Sequence, residues 1–174
     1  MRALLCAAIL SFLMVMGAPG FGTERILRPD VVAVRSVYEA FAWEAVIDAP
    51  APGTSLVEQS PSVLMRYFTP ELTALILRDR ECVARTREIC NLDFLPLWDS
   101  QDASGATVTL ADGPDLGEVL VKVRYPPPEA EKKLVFRLAN GSTGWKIADI
   151  VYEGVEGNVN GTISLSRLLG RRSN

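Results

Sequence analysis

Gly144-Trp145-Lys146-Ile147-Ala148-Asp149-Ile150-Val151-Tyr152 has the composition of one long strand. Trp, Ile, Val and Tyr suit a pleated, half-buried surface. Strict alternation places Trp145, Ile147, Asp149 and Val151 on one face, and Lys146, Ala148, Ile150 and Tyr152 on the other. Asp149 is the misfit, a carboxylate among apolar neighbours. It predicts either a paired structural acid, with an arginine such as Arg124 or Arg137, or a carboxylate at the mouth of a cavity.

Working outward, the tight loop Asn140-Gly141-Ser142-Thr143-Gly144 makes a hairpin with a preceding strand, in which Leu134, Phe136 and Leu138 alternate with Val135 and Arg137. Pro126-Pro127-Pro128 stops an earlier strand, whose Val119, Val121, Val123 and Tyr125 alternate with Leu120, Lys122 and Arg124. Asp112-Gly113-Pro114-Asp115 is a turn after a weaker strand, Ala106 to Leu110. On the far side, a Gly/Asn-rich link from Gly154 to Gly161 leads to a short helix. Ile163, Leu165, Leu168 and Leu169 form its apolar side, and Arg171-Arg172 sits near its favourable C-terminal end.

The first half of the chain has helical periodicity instead. Asp30 is placed to cap a helix carrying Val34, Val37, Tyr38, Phe41 and Ala45, which ends near Asp48 before the breaker stretch Ala49-Pro50-Ala51-Pro52-Gly53. Ser60-Pro61 starts a short helix with Leu64, Met65 and Phe68 inward, and Thr69-Pro70 starts a longer one with the stripe Leu72, Leu75, Ile76 and Val83. Arg78, Asp79, Arg80, Glu81, Arg85, Arg87 and Glu88 read as its solvated face. Helices first and then a run of antiparallel strands is an α+β order. The expected architecture is helices packed on one curved antiparallel sheet, an open cone with a cavity at its wide end.

Between the two halves lies Cys90-Asn91-Leu92-Asp93-Phe94-Leu95-Pro96-Leu97-Trp98-Asp99-Ser100-Gln101-Asp102. Large apolar side chains, carboxylates and a proline follow no regular period, so this is an ordered loop pinned by Phe94, Leu97 and Trp98. Binding residues concentrate on such loops. The candidate ligand-binding set is Asp93, Trp98, Asp99 and Asp102, with Asp149 and Tyr38. Aromatics there would supply contact area, and carboxylates would orient a polar or cationic ligand. The alternative for Asp99 and Asp102 is that they cap turns.

The chain has 174 residues, 48% of them hydrophobic. Part of that lies in residues 1–22, where Met1-Arg2 precedes an apolar run and then Gly17-Ala18-Pro19-Gly20, the pattern of a secretory signal peptide cleaved between Ala18 and Thr23. The alternative is an N-terminal membrane anchor, although the run falls short of the ~20 residues of a comfortable span. Residues 23–174 are expected to form one domain, with its core from Val31 to Leu169. Loss of Arg2 leaves 17 basic against 21 acidic residues, and a mildly acidic chain without a basic stripe is a poor nucleic-acid binder. The sequence contains no histidine, which excludes Ser-His-Asp and Cys-His mechanisms within the chain.

Cys82 and Cys90 remain in the mature chain and, in an oxidising compartment, predict one disulfide. On one continuous helix they would stand about 12 Å apart, too far for a bridge, so the helix must end or bend between them. Their spacing is not C-x-x-C, and two thiolates without histidine leave a zinc shell incomplete. Asp99 and Asp102 offer oxygen ligands of the kind calcium or magnesium takes, but lack the glycine and repeated acids of a calcium loop. No metal, cofactor or catalytic residue is therefore assigned. Asn140-Gly141-Ser142 and Asn160-Gly161-Thr162 match the glycosylation acceptor pattern, but turn geometry already accounts for Asn-Gly. The expected location is periplasmic or secreted, with no membrane association after cleavage.

Tyr38-x-x-Phe41, the Leu-Asp-Phe and Ser-Gln-Asp of the Cys90–Asp102 stretch, the Gly144–Ile150 strand and the Leu-rich end together resemble a family of small exported bacterial proteins. This is the DUF 3828 family, of the nuclear-transport-factor-2-like superfamily. The resemblance spans roughly Val31 to Leu169. It implies a cone-shaped α+β fold with a pocket between helices and sheet, and no established reaction. Three expectations follow. The first is a non-catalytic binding module for a small ligand, peptide or partner protein. The second, by analogy with superfamily members, is an isomerase or dehydratase, with Asp149 or Asp93 as base and Tyr38 or Tyr67 as donor. The third is an envelope interaction or immunity-type protein.

Overall fold

The computed structural model describes residues 27–46, 55–128, 131–154 and 162–171. The signal-like segment, the 49–53 stretch and the Asn160 motif lie outside the described residues.

Helix α1 (Pro29–Phe41) opens with Pro29 in its first turn and runs into a 3-10 turn, Ala42–Ala45. Arg28, not Asp30, occupies the cap position. Asp30 lies inside the first turn, fully buried, and is held by the Arg28 guanidinium and by the Gly117 N–H at 2.7 Å. The Arg28 guanidinium also donates to the Gly113 and Asp115 carbonyls, which fastens the start of α1 to a distant turn.

Helix α2 (Pro61–Tyr67) and helix α3 (Pro70–Thr86) begin at the two expected proline signals, and the Thr69 hydroxyl accepts from the Leu72 N–H. Leu64, Phe68, Leu72 and Ile76 are at most 1% exposed. Each such side chain contributes about 1.5–3 kcal/mol by leaving water. Two inward expectations fail. Met65 is 48% exposed, since α2 buries Leu64 instead, and Val83 is 38% exposed, since the buried side of α3 runs through Thr73, Asp79 and Cys82. Asp79, expected among the solvated charges, is buried because its carboxylate accepts from the Asn91 backbone and side-chain N–H groups, both at 2.9 Å.

Strands β1 (Thr107–Asp112), β2 (Glu118–Arg124), β3 (Lys132–Gly141), β4 (Gly144–Glu153) and β5 (Ile163–Ser164) form an open antiparallel sheet in chain order. A short helix α4 (Leu165–Leu169) follows. The α+β expectation holds, with β5 as an addition. One apolar core joins α1, α2 and α3 to β2, β3, β4 and α4. Gly117 sits at the β1–β2 turn with φ +90°, where a Cβ would come within 2.9 Å of the Leu138 carbonyl oxygen, so only glycine fits.

The alternation expected for β4 breaks in its middle. Leu138 pairs with Ile147 and the adjacent Arg137 pairs with Asp149, leaving Ala148 as the extra residue of a β-bulge. The bulge shifts the parity, so Ile147, Ile150 and Tyr152 all enter the core, while Asp149 leaves the face of Trp145 and Ile147. Ile147 also offers its carbonyl to the Thr69 N–H at 2.9 Å, and Phe68 bridges to it.

Candidate functional site

Helix α3 ends at Thr86, with Arg87 left-handed at its C-cap, and the chain turns back so that Cys82 and Cys90 come to disulfide distance with Cα atoms 6.2 Å apart. This is the break in the helix that the cysteine pair requires. The next stretch, Asn91 to Gln101, is irregular but tightly fixed. Its Leu95 and Ser100 form an antiparallel bridge, and the Leu95 carbonyl accepts from both the Trp98 and Asp99 N–H groups at 3.0 Å.

Three tyrosines hold this loop from behind. Tyr152 of β4 donates to the Pro96 carbonyl at 3.2 Å, Tyr38 of α1 donates to the Leu97 carbonyl, and Tyr125, just past β2, donates to the Trp98 carbonyl. Three consecutive carbonyls thus receive hydroxyls from three separate parts of the chain. Burial holds the Tyr38 and Tyr152 hydroxyls far above the usual phenol range, so they stay donors at every ordinary pH. Trp98 is 3% exposed, meets Tyr38 edge-on at 5.5 Å, and donates its indole N–H to Glu44 at 2.7 Å. Glu44 accepts from the Leu56 N–H with its other oxygen, and burial raises its pKa against those two bonds.

The loop faces α4 and β5 across a groove of about 470 Å³. Asp93, Phe94 and Asp99 of the loop line it together with Tyr152 of β4 and with Ile163, Leu168 and Arg171 from the end of the chain. Phe94 is braced edge-on against Tyr152 at 5.3 Å. Asp99 has φ +52°, a conformation that aspartate tolerates better than most residues. Its side chain is 16% exposed and lies 3.7 Å from Lys132 Nζ. Burial raises the Asp99 pKa, and Lys132 pulls it partly back. The arrangement offers two carboxylates and one guanidinium beside a mainly apolar wall.

Of the six candidate ligand residues, only Asp93 and Asp99 reach this groove. Tyr38 and Trp98 are core residues, with their polar atoms committed to Leu97 and Glu44. Asp102 caps a turn through the Ser104 N–H at 2.8 Å, and the Ser104 bonds lower its pKa. Asp149 accepts from the Ser166 N–H and hydroxyl at the start of α4, at 2.9 and 2.6 Å. Neither arginine expected for it is its partner: Arg137 pairs with Glu118 and Arg124 with Glu131, both at 3.5 Å.

Sequence reasoning missed Lys132, Arg171 and the groove role of Ile163 and Leu168, since no local pattern brings the chain end against the loop. Tyr125 was legible in principle, because a tyrosine on the inward face of a strand needs a partner for its hydroxyl. A second groove, about 410 Å³, runs along α3 beside Val83 and Leu92. Its Asp79 and Arg80 are already committed to Asn91 and to the Gln59 carbonyl.

Among the described residues, no cluster of three or more cysteine, aspartate or glutamate residues is placed to hold a metal ion, and no helix is long and apolar enough to cross a membrane. No protein-family model, curated protein or solved structure matches the chain.

Proposed function

We propose that this is an exported binding protein, periplasmic or secreted, whose groove between the Asp93–Gln101 loop and α4 holds a small ligand or peptide without altering it chemically. The carrying observation is the immobilised loop. Three tyrosine hydroxyls, from α1, from β4 and from just past β2, fix its carbonyls, and Asp99 follows them in a left-handed conformation beside an open groove. Binding groups on a braced backbone lose little freedom when a ligand arrives. A volume of about 470 Å³ lies within the range of small-molecule sites. The cysteine pair at disulfide distance supports an oxidising compartment.

Helices gathered against an open antiparallel sheet support placing the fold in the nuclear-transport-factor-2-like superfamily, beside the DUF 3828 proteins. Binding is favoured over proton transfer in a cone because the Tyr38 hydroxyl and the Asp149 carboxylate already serve the framework.

The test is a titration of the isotope-labelled mature protein with a library of amines, peptides and envelope metabolites. The expected result is amide shifts centred on Phe94, Ile163 and Leu168. A library that moves none of these residues overturns the proposal.

A further inference from the structure

Resting on the reading of this groove as a binding site, we infer that its ligand is a monoamine, a single protonated amine carried on an apolar body. The walls divide the work. Phe94, Ile163 and Leu168 give an apolar surface, and Asp93 and Asp99 place two carboxylates beside it. No hydrogen bond or ion pair engages the Asp93 carboxylate among the described residues. Asp99 has only Lys132, at 3.7 Å and 42% exposed. That distance exceeds a direct hydrogen bond, and so exposed a lysine can yield its place at little cost. The Asp99 carboxylate is itself mostly withdrawn from water, which strengthens any donor that reaches it.

Arg171 sets the limit on charge. The lining holds two carboxylates and one guanidinium, and Lys132 beside Asp99 is the cation that an incoming amine replaces; with Lys132 turned out to solvent, one negative charge is left for one positive charge to match. A polyamine would bring its second cation towards Arg171, and an anion would meet two carboxylates. An amine on an apolar body satisfies both halves of the groove, with charge-assisted bonds at one end and burial of carbon at the other.

The experiment uses four probes on the mature protein: phenethylamine, 2-phenylethanol, 3-phenylpropionate and spermidine. Affinity is read by calorimetry and location by amide shifts at Phe94, Ile163 and Leu168. Phenethylamine is expected to bind about tenfold or more tighter than the isosteric alcohol, the gain of one charge-assisted bond. Propionate and spermidine are expected to bind more weakly than phenethylamine. Asp99→Asn, which suits the left-handed backbone, is expected to remove the amine preference and leave alcohol binding in place.

Equal binding of the alcohol or the propionate, tighter binding of spermidine, or an unchanged preference in both Asp99→Asn and Asp93→Asn would each overturn the monoamine and leave the groove as a site for another class. If none of the four probes shifts the groove residues while other library compounds do, the monoamine falls alone. If nothing shifts them, the binding reading falls with it.

Discussion

Tyr38, Tyr125 and Tyr152 carry their hydroxyls into the protein interior, where each donates to one carbonyl of the loop that walls the groove. A buried carbonyl left without a donor costs more than the bond it loses. Tyr38→Phe keeps the ring contacts with Trp98 and Phe136 but strands the Leu97 carbonyl. It is expected to lower unfolding free energy by about 1–3 kcal/mol in urea titration. A change below a few tenths would show that the loop does not depend on that bond. Asp149 carries a different load, since it caps α4 through Ser166. Asp149→Ala is expected to cost about 1 kcal/mol, and Asp149→Asn, which keeps an acceptor oxygen, distinctly less. Equal losses in both variants would argue that the charge, not the cap, is what matters there.

Two elements were written clearly in the chain and one was not. Ser60-Pro61 and Thr69-Pro70 announce α2 and α3 because helix starts are set by their own few residues. The cysteine pair implied the end of α3 by reach alone, and the helix does end at Thr86. A bridge between Cys82 and Cys90 closes a short loop. On chain-entropy grounds, its loss in a Cys82→Ser/Cys90→Ser double variant should cost about 2–3 kcal/mol, seen as a lower urea midpoint in the variant than in the oxidised parent. An unchanged midpoint would mean the Asp79–Asn91 bonds already fix this turn without the bridge. Strand β4 was recognisable as a strand, but not its bulge. Period-two reading assumes that every residue has a partner, and Ala148 has none in the register with β3. That one extra residue decides which of Asp149 and Ile150 faces the core.

Across the whole molecule, buried acids of opposite tendency set the response to pH. Burial is the largest influence on Asp30, and it raises the pKa; bonds from Arg28, Gly117 and Val31 outweigh it, so the Asp30 pKa ends below 3.8. Its contribution to stability is present above that ordinary value and is lost as pH falls through the depressed one. Glu44 and Asp99 have raised values because burial dominates, so the folded state holds their protons more tightly than the unfolded chain does. Their contribution is full below the ordinary values of 4.5 and 3.8, and declines as pH rises through the raised ones. The parent should therefore lose stability relative to Asp99→Asn as pH rises from below 3.8 through the raised Asp99 value. Urea titrations of both proteins across this range check it, and a stability difference that does not change with pH would contradict it. The sequence by itself determined the α+β order, the helix starts, the hairpins and the pairing of Cys82 with Cys90, because each follows from the periodicity, turn chemistry or reach of neighbouring residues. Only the tertiary structure decided that Tyr38 and Trp98 belong to the framework, that Asp149 caps α4, and that Arg171 and Leu168 line one groove with Asp93 and Asp99. Those pairings join residues far apart in the chain, and which buried polar group finds which partner is settled only when the whole core closes.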